Sequence, residues 1–251
     1  MSNSLSNPAY KIENVSRYFG EHVVVKDLNL EISTGEIIGL LGLNGAGKST
    51  CLQMLAGTLA PSLGEVRLFG QDLYSGPASL RERIGYLPEQ PPLYAHQKVD
   101  EYLNFIVKLY AVDKQQRAHR IAHCKQQCGL QDVGKRRIGN LSKGFQQRLG
   151  IAQAIVHQPE IIILDEPTVG LDPQQLMHMR KVVRELGEQT TVIFSSHILS
   201  EVHAVADRIV ILHQGHVVHD GPNEDKSDLE ELFSRIIFAD STAQDQSGEA
   251  A

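Results

Sequence analysis

The sequence predicts an α/β domain built on a mainly parallel core sheet, and three observations lead there. Short apolar runs at 37–41, 84–87, 160–164 and 191–195 alternate with helical stretches, the alternation from which parallel sheets are made. A glycine-rich run from Gly42 to Thr50 joins the first of these strand-like runs to a helical one. The 251 residues are 41% hydrophobic and 22% charged, an ordinary globular composition with length enough for one large domain and a substantial core.

Taken in order, residues 10–32 carry β-like stretches at 11–16 and at 23–25 with 28–32, broken at Phe19-Gly20, and predict an N-terminal antiparallel β subdomain. The apolar run 37–41 reads as a buried strand and 49–56 as a helix, while 65–69 alternates as a short strand and 84–87 reads as another. Pro88, Pro91 and Pro92 then stop regular structure. From 99 to 129 the pattern is helical, with Leu103, Ile106, Val107 and Tyr110 at helix spacing. A turn-like break at 139–144 feeds a helix over 145–157. This block, about 89–158, interrupts the alternation and reads as an α-helical subdomain. A continuous apolar strand at 160–164 ends in acids, and Pro173 opens a helix to 186, proline suiting a first helical turn. Strand 191–195 follows, and 209–212 with 216–218 resemble a closing hairpin. The small, polar, acidic stretch 239–251 reads as disordered. The domain is expected over 1–235, with the tail from 236 to 251.

Composition narrows the function. A formal charge of −6 argues against nucleic acid as a partner, which selects basic surfaces. Three cysteines behind a polar N-terminus suggest a reducing, cytosolic compartment without disulfides. No apolar run approaches the ~20 residues that span a bilayer, so a membrane role would come through a partner.

The run Gly42-Leu43-Asn44-Gly45-Ala46-Gly47-Lys48-Ser49-Thr50 predicts a nucleotide phosphate site and a P-loop NTPase fold. Glycines let the backbone wrap closely around a phosphate with N–H groups inward, and the helix that follows adds favourable partial charge. Lys48 can reach the β- and γ-phosphates of ATP, and the Ser49 hydroxyl can ligate Mg²⁺. Residues 161–164 read as a buried strand that delivers Asp165 and Glu166 to its C-terminal edge, where open α/β sheets bind ligands. Asp165 suits the Mg²⁺ shell, and Glu166 suits orienting and deprotonating a water that attacks the γ-phosphate.

Leu141-Ser142-Lys143-Gly144-Phe145-Gln146-Gln147-Arg148 turns this generic reading toward a family. The run resembles the LSGGQ signature of ABC transporter ATP-binding subunits, matching at Leu141, Ser142, Gly144, Gln147 and Arg148 and lying one short helix upstream of the Asp-Glu strand. A serine hydroxyl and glycine N–H at a helix start form a second anion site. Lys143 and Phe145 depart from the common signature and look like the branch serving export-type, two-component (ABC-2-like) permeases.

The resemblance spans essentially residues 10–235 and implies further roles. Phe19 matches the aromatic that stacks on adenine. Glu89 stands where a glutamine usually contacts Mg²⁺ and the attacking water, with Gln90 the alternative one position later. Gly170-Leu171-Asp172 matches the loop along the dimer seam, and His197 the histidine that bonds the γ-phosphate. The resemblance implies an ATPase that closes as a pair around two Mg·ATP. Each ATP would lie between the phosphate loop of one copy and Ser142 and Gly144 of the other, as a homodimer or with a paralogue. It implies an integral-membrane permease as partner, contacted through residues 89–96, and a location on the cytoplasmic face of the membrane. The alternative is a soluble ABC-type ATPase acting on a protein or nucleic-acid assembly, whose relatives usually carry two such domains or coiled-coil insertions. His119, His123, Cys124 and Cys128 lie at four-residue spacings that suggest a soft-metal set, although the pairs project from different faces. Cys51, just after the phosphate loop, reads as a helix residue packed near the site, with sensitivity to thiol reagents as the other reading.

Overall fold

The computed structural model describes residues 8–223 and 229–237. Strands β1 (Tyr10–Phe19) and β2 (His22–Ile32) precede β3 (Ile37–Leu41), which runs into α1 (Lys48–Leu55). Strands β4 (Leu63–Leu68), β5 (Gln71–Asp72) and β6 (Ile84–Leu87) follow, and then the helices α2 (Val99–Leu109), α3 (Arg117–Gln127) and α4 (Lys143–Ile155). The chain returns to the sheet as β7 (Ile161–Leu164), α5 (Pro173–Gly187), β8 (Thr191–Ser196), α6 (Leu199–Val205), β9 (Arg208–His213) and β10 (His216–Pro222).

Two sheets result. One is four-stranded and antiparallel in the order β2-β1-β4-β5; the other runs β10-β9-β3-β8-β7-β6, parallel except for the β9–β10 hairpin. The parallel strands are buried on both faces. Ile37 and Leu41 of β3, Ile162 and Leu164 of β7, and Ile209 and Ile211 of β9 face the helices, where one core forms. Ile38 and Leu40, Ile161 and Ile163, and Val210 and Leu212 face α1 and the antiparallel sheet, where a second core forms. Burial on both faces is why these strands read as unbroken apolar runs rather than alternating ones.

Local chemistry sets most boundaries. The two β-like stretches at 23–25 and 28–32 form one strand, kinked where Asp27 takes a φ of 48° and its N–H donates to Ser16 Oγ at 2.9 Å. β4 stops at Leu68 because Phe69 has a φ of 48°. The helical pattern of 99–129 resolves into two helices rather than one block. Ala111 turns left-handed with a φ of 51°, and the Asp113 carboxylate accepts from Gln115 N at 2.7 Å, a local bond that competes with helix continuation. The expected tail lies outside the described residues from 238 on; Ile236 and Ile237 belong to a helical segment, with Ile236 buried.

Candidate active site

The parallel strands β3, β7 and β8 end side by side, and the groups after them share one edge. Beyond β3 the chain turns through Gly42–Gly47 into α1. Gly47 caps that helix with a φ of 100°, a conformation that only glycine adopts without strain. A Cβ at Gly42 would run into the backbone carbonyl oxygen of Leu212, so the loop fits against β9 only without a side chain there. Lys48, 6% exposed, folds back over the loop, donating to the carbonyls of Gly42 at 2.8 Å and Leu43 at 3.2 Å.

Glu166 follows β7 with a φ of 46° and is 6% exposed. Its Oε1 lies 3.2 Å from Lys48 Nζ, close enough for an ion pair but not aligned as a hydrogen bond, so this buried oxygen has no hydrogen-bond donor. Its Oε2 lies 3.0 Å from His197 Nδ1. Asp165 sits beneath, its Oδ1 accepting from Ser195 Oγ at 2.7 Å, while Ser195 Oγ accepts from Glu166 N at 2.8 Å. Burial raises the Asp165 carboxyl above the usual aspartate range, opposed by hydrogen bonds from Ser195 and Ser49. A cleft of about 420 Å³ opens over these groups, lined among others by Asn44, Gly45, Lys48, Ser49, Glu89 and His197.

The expected residues thus divide. Asn44, Gly45, Gly47, Lys48, Ser49, Thr50, Glu89, Glu166 and His197 line one cleft, with Gly42, Ala46 and Asp165 in its frame. Of the two candidates after β6, Glu89 lines it and Gln90 does not. Phe19 ends β1 half-exposed, with the Arg17 guanidinium 4.7 Å from its ring centre, and does not line the cleft. Ser142, Gly144 and Asp172 are also absent from the lining. Ser142 is the N-cap of α4, its hydroxyl accepting from Phe145 N at 3.4 Å. Gly144 is packed so closely on Gln175 that a Cβ would meet its side chain. Asp172 caps α5, accepting from Gln175 N at 2.9 Å. Lys143 lies against Gly170, and Phe145 carries the Arg148 guanidinium 4.0 Å above its ring.

The oxygen donors of Ser49, Asp165 and Glu89 suit a hard divalent cation such as Mg²⁺. Among the described residues no group of three or more His, Cys, Asp or Glu is arranged to hold a metal by itself, which removes the soft-metal reading of the 119–128 set. Cys51 is not a reactive thiol: it is 1% exposed, and burial followed by the nearby Asp165 charge pushes it up to about 12. Sequence reasoning passed over Ser195, the link between Asp165 and the Glu166 backbone, as well as Val24 and Val169 in the lining. The one available signal for Ser195 was a polar residue closing an apolar strand.

Comparison with known proteins follows the same lines. Residues 25–169 match the family model described as ABC transporter. The chain is 39% identical over 222 residues to the ABC transporter ATP-binding protein NatA of Bacillus subtilis, covering 85% of this chain and 90% of that one. It is 36% identical to the bacitracin transport ATP-binding protein BcrA of Bacillus licheniformis, over 84% of this chain and 69% of the relative. Among solved structures, cbiO1 from Clostridium perfringens, part of the ABC transporter complex cbiONQ, superposes with a TM-score of 0.81 at 26% identity over 92% and 94% of the two chains. The dimeric bacterial ABC transporter cassette MJ0796 superposes at 0.77 and 26% over 86% and 99%.

Proposed function

The chain belongs to the ABC transporter family as an ATP-binding subunit, and from that premise we propose that it powers an export-type permease by closing head to tail with a second copy around two Mg·ATP. Members of this family are ATPases coupled to transport, and they act with membrane permeases and as dimers. The observation that carries the reading is the convergence of Lys48, Glu166 and His197 on one cleft beside the Gly42–Gly47 turn.

In the proposed cycle the loop N–H groups and the start of α1 hold the phosphates, and the Lys48 ammonium leaves its loop carbonyls for the β- and γ-phosphate oxygens. Bound Mg²⁺ would be held by Ser49 and Asp165, with Glu89 beside it, and would neutralise charge on the phosphates. Glu166 orients the attacking water and takes its proton; its buried, undonated Oε1 suits a base. His197 contacts the γ-phosphate while its Nδ1 steadies Glu166. Phe19 provides a stacking face for adenine at the end of the β1–β2 hairpin. Ser142 and Gly144 of the second copy complete each site, with Asp172 at the seam. Closure is a population shift, driven only as far as ATP prefers the closed pair.

Among the described residues no helix is long and apolar enough to cross a membrane, so the proposed place of action, the cytoplasmic face of the membrane, is reached through the permease. The contact proposed for it is the 89–96 segment. There the exposed Tyr94 ring packs 5.8 Å from Tyr102 and 5.9 Å from Phe105, a patch suited to an apolar partner. The test is purification of the tagged chain in gentle detergent. Copurification of a multi-span membrane protein that stimulates ATP hydrolysis is expected; recovery of soluble partners alone would overturn the transporter reading. Glu166→Gln is expected to slow turnover by about 10²–10⁴-fold while ATP binding persists, and normal turnover would remove Glu166 as the base.

A further inference from the structure

Glu201 is 7% exposed, and no contact with the cleft explains a carboxylate buried there. It lies in the first turn of α6, and two hydroxyls donate to its Oε2. One is Thr168 Oγ1, in a short hydrogen bond; the other is Ser196 Oγ, at 3.0 Å. Ser196 in turn accepts from Ile198 N at 3.0 Å. The partners flank the reactive groups on both sides. Thr168 lies two residues after Glu166 and two before Gly170, whereas Ser196 and Ile198 are the immediate neighbours of His197.

From this arrangement we infer that Glu201 is a positioning residue for hydrolysis, a post that fastens the turn carrying Glu166 to the turn carrying His197. The inference rests on the proposed roles of those two residues. The chemistry suits a post. A buried carboxylate must be stabilised by hydrogen bonds, and bonds to a charged acceptor are roughly twice as strong as neutral ones. Glu201 therefore fixes both hydroxyls, and through them two loops 31 residues apart along the chain, so that Glu166 Oε2 stays 3.0 Å from His197 Nδ1. Neither Glu201 nor Thr168 lines the cleft. Their loss should leave nucleotide binding intact and act on the chemical step, where misplacement of about 1 Å can cost 10²-fold.

The experiment compares Glu201→Gln, Thr168→Val, Thr168→Ser and the Glu201→Gln/Thr168→Val double variant in the full chain. The readouts are kcat and KM for ATP hydrolysis, ATP affinity and thermal unfolding. Each single loss of the carboxylate–hydroxyl bond is expected to lower kcat about 10-fold or more, with KM and ATP affinity within about 2-fold. Thr168→Ser, which keeps the hydroxyl, should retain near-normal turnover, and the double variant should be no slower than the slower single one. If Glu201→Gln fails to fold, the Thr168→Val and Thr168→Ser pair carries the test, since Thr168 is only half-buried. A normal kcat in Thr168→Val, or losses that multiply in the double variant, would overturn the inference. Glu166→Gln measured alongside separates the two readings. Lost turnover there with normal turnover in Thr168→Val rejects the post and keeps the base. Normal turnover in Glu166→Gln rejects the base and, with it, the premise on which the post rests.

Discussion

The phosphate-loop cleft and the turn at Ser142 are built alike, each a glycine-containing turn that opens a helix, yet they are finished differently. Around Gly42–Gly47 the chain supplies its own counterpart: Glu166, His197 and Glu89 arrive from three other segments and line the same cleft. Around Ser142 the chain supplies only a frame. Its hydroxyl caps its own helix, Gly144 rests on Gln175, and neither reaches the cleft. A helix start with an inward-turned glycine is half of an anion site. The contrast teaches that one half is closed by the fold, while the other stands apart from the cleft and, on the function proposed above, meets a second copy.

The sharpest way to break that contrast is to mix two inactive chains. Glu166→Gln disables the cleft of its own chain, and Ser142→Arg blocks the turn offered to a partner. Each alone is expected to lose turnover about 10²–10⁴-fold. In a head-to-tail pair of one with the other, one composite site is fully intact. ATPase assays of the mixture should therefore recover activity that neither chain has, and no recovery would reject the head-to-tail closure.

Next comes stability. Gly42→Ala drives a Cβ against the backbone carbonyl of Leu212, which cannot swing away, and should cost on the order of 1–3 kcal/mol in urea unfolding. Gly144→Ala meets only the flexible end of Gln175, and alanine favours a helix, so its stability should change by less than about 1 kcal/mol. Equal losses would mean that the Ser142 turn is as tightly closed by its own chain as the phosphate loop.

The Ser142 helix also ends on a pH-sensitive anchor. Just past α4, His157 stacks on Tyr110 with ring centres 3.8 Å apart and contacts the Ile84 carbonyl at 3.3 Å. Burial holds its pKa down at about 4, with the Ile84 bond opposing. The folded state then binds fewer protons than the unfolded one below pH 6.5. The stabilisation is fully present above that pH and is lost as pH falls toward 4. Melting curves should show a decline on the order of 2 kcal/mol over this interval, and His157→Phe, which keeps the stacking, should flatten it. An unchanged pH slope in the variant would remove His157 as the cause. The smallest effect belongs to Ser142→Ala, about 0.5 kcal/mol of thermal stability, because the cap bond is long at 3.4 Å; a larger loss would make Ser142 chiefly structural.

How much of this was legible varied with distance along the chain. The phosphate loop was readable because its shape is local: Gly47 sits at a φ of 100° and Lys48 bonds carbonyls five and six residues back. The strands were readable because burial on both faces leaves an apolar run. Helix breaks were less so, since Ala111 turns left-handed without glycine or proline to announce it. Of the two readings of Cys51, the packed helix residue holds and the reactive thiol does not; the sequence left both open because a cysteine beside a loop looks the same whether its thiol faces the cleft or the core.

By itself the sequence determined the α/β class, the glycine-rich turn between β3 and α1, and the acids at the strand end, because each depends on residues adjacent in the chain. Only the tertiary structure decided that Glu89 rather than Gln90 lines the cleft, that Ser195 joins Asp165 to the Glu166 backbone, and that Glu201 fastens Thr168 to Ser196. The Ser195 and Glu201 pairings arise because β7 and β8 lie parallel with Leu164 opposite Phe194. That register brings groups about 30 residues apart within hydrogen-bond reach, and no local pattern encodes it.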